Sequence, residues 1–225
     1  MANLVTACAF FLLINLGVSG TRLRTLLVAR LGERPYRGLF ASASLVGLAW
    51  LIFAYHLAPV RPTWGLLLSL RPAAYVLVFI AFLFAVVGLT TPSATRVGME
   101  ARLDPAGVRG VTRITRHPFL WGTALWALTH LVINGDWASL ILFSSMFVLA
   151  LGGTTSIDAK RRRRFGTAWR TYSLATSSVP FAAVARGSQH LRQALREIGA
   201  WRFGVAIALY AAAFIIHGAL GHPLY

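Results

Sequence analysis

The sequence is poor in acidic side chains. Its 225 residues include six aspartates and glutamates, against 22 lysines and arginines of which only Lys160 is a lysine. Charged residues make up 12% of the chain, whereas a soluble domain carries about 25%. The chain therefore lacks the polar surface of a water-soluble globule, and acid–base catalysis by paired carboxylates is not expected.

Cysteine is nearly absent as well. Cys8 is the only cysteine in the sequence, and a single cysteine excludes an intrachain disulfide. The chain also has no zinc-ligand spacing, no glycine-rich phosphate loop and no Ser-His-Asp set. No basic residue precedes the first apolar run, which argues against a cleaved signal peptide. The net charge of +16 is attributed to membrane orientation and lipid headgroup contacts, and no nucleic-acid partner is expected.

Long apolar runs dominate what is present. Hydrophobic residues make up 57% of the chain, and a helix needs about 20 apolar residues to cross a bilayer. Six runs qualify, at roughly 3–20, 38–58, 72–91, 118–134, 137–155 and 202–220. The sequence therefore predicts an all-α membrane protein with six transmembrane helices, folded as a single domain over residues 1–225. Asn134-Gly135 predicts a tight turn between the fourth and fifth runs, and Asp136 is placed to cap the helix that follows.

Basic residues alternate between the connections. The first, third and last connections carry 20 of the 22 basic residues, and the other connections carry two. The positive-inside rule then places both termini on the periplasmic side of a bacterial inner membrane. Two segments of these basic connections, TRLRTLLVARLGERPYRGLF and GSQHLRQALREIG, are predicted to form amphipathic helices on the cytoplasmic surface, with Gly32 ending the first of them.

His117 lies where the fourth run begins, between Arg116 and Pro118. Proline suits the first turn of a helix, so Arg116 and His117 would flank a helix N-terminus, a natural site for an anion. The alternative is that they only fix the start of the helix at the headgroup level.

His130 lies inside that same run, about 18 Å from its start at 1.5 Å per residue. His217 lies about 22 Å into the sixth run and His56 about 27 Å into the second. Two imidazoles at similar depth could bind b-type haem from both sides. Hydrogen bonding between helices is the alternative.

Three further residues are singled out on their position. Asn15 is a polar side chain within the first run, where asparagine commonly bonds across a helix interface. Trp169 and Tyr172 flank Arg170 in FGTAWRTY, a pattern that is also typical of an aromatic belt.

Three blocks, VARLGERPYRGLF, ITRHPFLWGTALWALTHLVINGDWASLILF and SIDAKRRRRFGTAWRTYSLATSSVPF, resemble the NnrU family. This bacterial membrane family is associated with denitrification and is related to the plant and cyanobacterial 15-cis-zeta-carotene isomerase, a haem b enzyme. The resemblance implies catalytic or ligand roles for Arg116, His117 and His130, and His217 resembles a histidine near the family's C-terminal end. Asn15 or Val18 stands where the isomerase has another histidine, which leaves His217 as the axial partner expected for His130.

RHPFLWG followed by FGTAWRTYSLATSSVPF also resembles membrane methyltransferases of the isoprenylcysteine type. Their S-adenosylmethionine is held by a histidine and an acidic pair, and Ile157-Asp158 stands near the place of that pair. His117, Trp169 and Tyr172 would then form the cofactor site. Three functions stay open: support of nitrogen-oxide metabolism through haem, isomerisation of an apolar polyene, and methyl transfer. The substrate and oligomeric state stay open too, and a membrane scaffold without chemistry is the alternative to all three.

Overall fold

In a computed structural model, the structure describes residues 1–95 and 103–219. Within these ranges the protein is all helical, without a β-strand. Its nine α-helices in chain order are α1 (Ala2–Leu12), α2 (Arg22–Leu31), α3 (Glu33–His56), α4 (Arg71–Thr90), α5 (Pro118–Asn134), α6 (Trp137–Ala175), α7 (Ala182–Ala185), α8 (Leu191–Ile198) and α9 (Ala200–Ala219). A π-helix, Leu13–Val18, continues α1.

The six predicted apolar runs all form helices, and their apolar surfaces point outward. Leu45 is 68% exposed on α3, and Ile215 is 73% exposed on α9. Exposed apolar surface on this scale marks contact with a non-aqueous environment or a partner. The composition and the outward-facing side chains together identify a membrane protein.

The number of spans is four or five by helix length and composition within the described residues. Four helical segments qualify, namely Glu33–His56, Leu68–Thr90, Trp137–Ala175 and Ala200–Ala219. A fifth is formed if Ala2–Val18 and Arg22–Leu31, which meet at a bend of 77°, count as one span. Helix α5 has the predicted bounds but only 17 residues, so the count of six stays a prediction.

Helices α5 and α6 form the predicted hairpin. Gly135 ends α5 in the left-handed conformation, with φ 57°, which glycine adopts without steric cost. Asp136 caps α6 by accepting a hydrogen bond from the backbone N–H of Ser139 at 2.9 Å. Two residues therefore reverse the chain direction, and α5 lies antiparallel against the first part of α6.

Helix α6 is much longer than the predicted run of 137–155. Of its 39 residues, 137–165 run without a break before Gly166 and correspond to about 44 Å at 1.5 Å per residue, longer than a hydrocarbon core of about 30 Å. The apolar first half therefore extends directly into the basic sequence from Lys160 onward. Gly166, with φ 50° and ψ −117°, interrupts the helix within this basic part.

Helix α4 lies between α5 and α9 and packs against both. Its contact with α5 is close because glycine replaces a side chain at the crossing. A Cβ on Gly122 would lie 2.7 Å from the carbonyl oxygen of Ala81 on α4. The apolar core lies on the other side of α5, where buried residues of α1, α3, α5 and α6 meet.

Both segments predicted as amphipathic helices contain a helix, α2 and α8, and α2 ends at Gly32 as predicted. Their amphipathic character stays a prediction. Ala194 and Ile198 of α8 are buried, while Leu191 and Leu195 are exposed. Their position on the cytoplasmic surface of a membrane stays a prediction. Arg96 and Arg102 of the third basic connection lie outside the described residues, as does position 220 at the end of the sixth predicted run.

Candidate functional site

The first group of predicted site residues lies at the N-terminus of α5. Helix α5 starts at Pro118, and His117 is the residue that precedes it. The backbone N–H of His117 donates to the hydroxyl of Thr115 at 3.2 Å, and that hydroxyl donates to the carbonyl of Ser178 at 2.6 Å. The Arg-His-Pro sequence is therefore held by the segment that follows α6.

Asp158 of α6 is the hydrogen-bond partner of both Arg116 and His117. The Nε2–H of His117 donates to Asp158 Oδ1 at 2.7 Å. The Nε of Arg116 donates to both carboxylate oxygens at 3.1 Å, and its second guanidinium nitrogen bonds to Oδ2. The His117 side chain is 1% exposed, and those of Arg116 and Asp158 are 11% and 12% exposed. The anion that the sequence predicts at this helix end is thus supplied by the protein itself.

Burial, together with the charges of this triad, determines the protonation state of His117. Burial lowers the pKa of the His117 imidazole, the hydrogen bond and charge of Asp158 raise it, and the charge of Arg116 lowers it, with a net lowering. Because Arg116 already balances Asp158, a proton added to His117 would be a buried charge without compensation. His117 is therefore neutral at pH 7, with its proton on Nε2 and its lone pair on Nδ1.

Trp169 and Tyr172 lie beside the triad. The guanidinium of Arg116 lies 5.6 Å from the Trp169 ring centroid, within reach of a cation–π interaction. The Trp169 and Tyr172 rings are 5.6 Å apart, and each residue is 2% exposed. The structure thus brings four predicted residues, Arg116, His117, Trp169 and Tyr172, into one cluster. Both aromatic residues are buried rather than on the surface, unlike residues of an aromatic belt.

His130 lies about one turn before the C-terminus of α5. Its Nδ1 is 2.8 Å from the carbonyl oxygen of Trp126, so Nδ1 carries the proton, because a carbonyl cannot donate. The imidazole stacks on Phe143 at 4.9 Å and contacts the Trp126 ring at 5.1 Å. The residue is 7% exposed. Its ring orientation is therefore fixed by one hydrogen bond and two aromatic contacts.

His217 on α9 repeats this arrangement. Its Nδ1 is 2.8 Å from the carbonyl oxygen of Ala213, one turn earlier in the same helix. His130 and His217 are near enough to interact electrostatically, although α4 separates their helices over most of its length. An electrostatic interaction thus relates these two predicted histidines, whereas His56 is exposed at the end of α3.

Asn15 lies within the π-helix that follows α1. Its amide nitrogen donates to the carbonyl of Phe11 at 2.9 Å, and its amide oxygen accepts from the hydroxyl of Ser44 at 3.1 Å. The side chain therefore links α1 to α3, as polar residues in membrane helices commonly do. Its predicted role in cofactor binding stays a prediction.

The hydrogen bonds of His130 and His217 fix the tautomer of each imidazole. Each imidazole donates its Nδ1–H to a backbone carbonyl, which leaves Nε2 with the lone pair that binds a metal. No group of three or more His, Cys, Asp or Glu side chains suited to a metal ion occurs in the ranges that the structure describes. Two imidazoles alone are too few for a bare transition metal, and a role in binding haem, where the porphyrin supplies the other four ligands, stays a prediction.

Asp158 is the residue of this cluster that received no predicted role, although it stands near the place of the acidic pair of the methyltransferases. A single carboxylate forms no motif by itself. A usable signal was present, because Asp158 lies at the end of an apolar run, where an acidic side chain needs a partner. The excess of arginine made such a partner easy to expect, but its identity depends on packing.

Comparisons with known proteins give the family. The profile of the NnrU protein family matches residues 3–223. The chain is 28% identical over 169 residues to the chloroplastic 15-cis-zeta-carotene isomerase of Arabidopsis thaliana, covering 72% of this chain and 45% of that protein. It is 29% identical over 168 residues to the same enzyme of Zea mays, covering 71% and 44%. The chain thus spans less than half the length of these relatives, and no solved structure matches it significantly. Because the family profile covers nearly its whole length, this chain belongs to the NnrU protein family.

Proposed function

We propose that this protein is a membrane-embedded cis–trans isomerase of 15-cis-zeta-carotene or a similar apolar polyene. The observation that carries the proposal is the histidine pair, in which His130 and His217 each have Nδ1 bonded to a carbonyl within apolar helices. The similarity to two proteins named as 15-cis-zeta-carotene isomerases supports the substrate class. A polyene is an apolar molecule, so it would reach such a site from the bilayer.

The histidine pair would hold b-type haem through the two Nε2 atoms. When bound, haem would supply a redox-active iron within the apolar region. Phe143 and Trp126 hold the His130 ring in one orientation and exclude water from it. A neutral imidazole is the form that binds a metal, and an apolar environment favours that form.

Arg116, His117 and Asp158 would act as positioning residues in this proposal. Their hydrogen bonds join the N-terminus of α5 to α6 and so fix the helix that carries His130. The predicted direct catalytic role of Arg116 and His117 stays a prediction. His117 has a neutral ring suited to accept a proton at Nδ1, but its side chain is 1% exposed.

The same chain is proposed to cross a bacterial inner membrane six times, with α5 as a short span and both termini periplasmic. The distribution of arginine between connections supports this topology. Reporter fusions after Asp136 and after Gly187 are expected to report opposite sides of the membrane. The same side for both would contradict the six-span topology.

The isomerase proposal is tested in bacterial cells that accumulate 15-cis-zeta-carotene. Expression of the protein is expected to convert this pigment to its 15-trans form, measured by chromatography of extracted pigments. His130→Ala and His217→Ala are expected to abolish conversion. His190→Ala, which removes an exposed histidine at the start of α8, is the matched control and is expected to leave conversion unchanged. Conversion by the His130→Ala protein at the unmodified rate would overturn the proposal.

Haem binding is tested separately by absorption spectra of the purified protein before and after dithionite. A Soret band is expected that both His130→Ala and His217→Ala lose, and that His117→Ala and His190→Ala keep. Conversion of the polyene without a Soret band would remove haem from the proposal and keep the isomerase.

The two other functions implied by resemblance, support of nitrogen-oxide metabolism and S-adenosylmethionine-dependent methyl transfer, stay predictions. Calorimetry with S-adenosylmethionine checks the second, and the absence of heat at millimolar ligand would contradict it. Nitric oxide consumption by intact cells, with and without the gene, checks the first.

A further inference from the structure

A cavity of about 660 Å³ lies at the basic end of the protein, away from the histidine pair. Its walls come from the end of the first apolar helix, from α2 and α3, and from α6. Six of the side chains that line it are basic: Arg24, Arg37, Lys160, Arg161, Arg163 and Arg164. The volume is typical of a site for a small organic ligand.

Glu33 is the only carboxylate lining this cavity among the described residues. One of its oxygens, Oε1, accepts a hydrogen bond from Arg24 at 2.7 Å and another from Arg37 at 2.9 Å. The single negative charge is therefore already shared by two arginines of the same wall. On the α6 side of the cavity, no described carboxylate lies among the lining residues beside Lys160, Arg163 and Arg164.

Lys160 shows the electrostatic consequence. Its ammonium donates to the hydroxyl of Ser19 at 3.3 Å, which is a neutral partner. The charges of Arg24, Arg161 and Arg163 are near enough to repel it. Like charges gathered in a partly buried cavity raise the free energy of the empty site, and a bound anion offsets that repulsion.

The lining chemistry favours phosphate over other anions. Guanidinium groups donate pairs of parallel hydrogen bonds to phosphate oxygens, and lysine adds a point charge. The hydroxyl groups of Ser19 and Thr25 add further hydrogen-bond donors. A phosphate group offers several acceptor oxygens and more than one negative charge, so it can use several of these donors at once.

The position of the cavity indicates an amphiphile. The basic side chains of α6 follow directly on its apolar first half, and Phe40 and Ile157 add apolar surface to the walls. Basic residues at the end of a membrane helix are placed at the depth of lipid headgroups. We propose that this cavity binds the phosphate group of an anionic amphiphile, such as the headgroup of an anionic phospholipid from the surrounding bilayer.

The proposal is tested by thermal unfolding of the full-length protein in detergent with three additives: phosphatidylglycerol, phosphatidylcholine with the same acyl chains, and inorganic phosphate. Phosphatidylglycerol is expected to raise the unfolding temperature in a saturable manner, well above the effect of phosphatidylcholine. Saturable stabilisation by inorganic phosphate that equals the effect of the lipid would support a phosphate site and identify a water-soluble ligand. Equal effects of the two lipids together with no effect of phosphate would overturn the proposal.

Substitutions test whether the stabilisation by phosphatidylglycerol arises at this cavity. The double variant Lys160→Met/Arg163→Gln is expected to weaken phosphatidylglycerol binding by about tenfold or more, since each lost charge-assisted hydrogen bond lowers affinity substantially. Arg192→Gln/Arg196→Gln removes the same charge from the exposed face of α8 and is expected to bind as the unmodified protein does. Equal weakening by both variants would show that only net charge matters and would overturn the site.

A second measurement distinguishes a loss of lipid binding from a loss of folding stability. Without added lipid, Lys160→Met alone is expected to unfold at the same temperature as the unmodified protein or higher, because it removes a charge that its neighbours repel. A lower unfolding temperature with unchanged lipid affinity would mean that Lys160 is a structural residue, and would also overturn the proposal.

Discussion

The polar cluster at the start of α5 and the histidine pair deeper in the helices use buried polar groups in different ways. In the cluster, Arg116, His117 and Asp158 bind one another, so their hydrogen-bonding capacity and charge are used within the protein. In the pair, His130 and His217 each bond to a carbonyl of their own helix. That bond fixes the tautomer of each ring, with the proton on Nδ1 and the lone pair on Nε2. The comparison teaches that the same residue type is held by charged side chains in one place and by backbone carbonyls of its own helix in the other.

The largest expected effect is on the cluster. Asp158→Asn removes the charge that balances Arg116 at a site where both side chains are about nine-tenths buried. Breaking a buried ion pair from one side costs about 3–5 kcal/mol. We expect this loss in the free energy of unfolding, measured by denaturant titration in detergent.

Glu33→Gln is the matched control, because the Glu33 side chain is 39% exposed in its pair with Arg24 and such pairs contribute about 0–1 kcal/mol. Adding Arg116→Met to Asp158→Asn is expected to recover part of the lost free energy of unfolding, because both buried charges of the pair are then removed. Equal effects of Asp158→Asn and Glu33→Gln would contradict the structural role of the cluster.

The next effect concerns α5, the helix that begins after the polar cluster and carries His130. A methyl group at Gly122 would lie 2.7 Å from the carbonyl oxygen of Ala81 and 2.9 Å from the backbone nitrogen of Ala85. Gly122→Ala therefore forces α4 and α5 apart, and overpacking of this kind costs about 1–3 kcal/mol. Gly204→Ala on α9 meets no atom within 4 Å and is expected to be neutral or stabilising. The reverse order of the two unfolding temperatures would contradict the close helix contact.

His130→Leu is expected to change stability less and function more. Leucine keeps the contact with Phe143, and the backbone N–H of residue 130 still bonds to the carbonyl of Trp126 as in any α-helix. The free energy of unfolding is expected to fall by less than about 1.5 kcal/mol, while polyene conversion and the Soret band are lost. Loss of folding on the scale of Asp158→Asn would instead make His130 a structural residue and remove the contrast between the two regions.

The smallest effect is a pH dependence at Glu197, which joins α8 to the turn before α5. A hydrogen bond from Arg113 is the main reason that the pKa of Glu197 falls from 4.5 to about 2. A carboxyl group whose pKa is lowered by folding stabilises the fold at pH values above its pKa in the unfolded state. This stabilisation is lost as the pH falls from 4.5 towards 2. The difference in unfolding temperature between the unmodified protein and Glu197→Gln is expected to shrink as pH is lowered from about 5.5 to about 3. A constant difference would show that the ion pair contributes nothing.

The helices were largely predictable, because they depend on local sequence. Hydropathy gave α5 its bounds, and Asn134-Gly135-Asp136 gave the hairpin turn and the cap of α6. The length of α6 was not predictable from hydropathy, since its second half is basic and continues the helix beyond the apolar run. The π-helix at Leu13–Val18 was missed too, because its sequence is as apolar as the helix before it.

The site was predictable in part. The sequence singled out Arg116, His117, His130 and His217 on position and residue type. It did not give their partners: His117 and Asp158 are 41 positions apart, and no periodicity in the chain relates them. Asn15 was singled out as a polar residue that commonly bonds across a helix interface and as the position of a missing histidine. Its bond to Phe11 is local, whereas its bond to Ser44 depends on packing against α3.

The sequence by itself determined that this protein is helical and membrane-embedded, because apolar content and the placement of arginine are properties of each segment in its solvent. Only the tertiary structure decided that Asp158 neutralises Arg116, that His217 approaches His130, and that basic residues from three helices enclose one cavity. Those outcomes depend on how distant helices pack, and packing follows from the shape of whole surfaces rather than from the order of neighbouring residues.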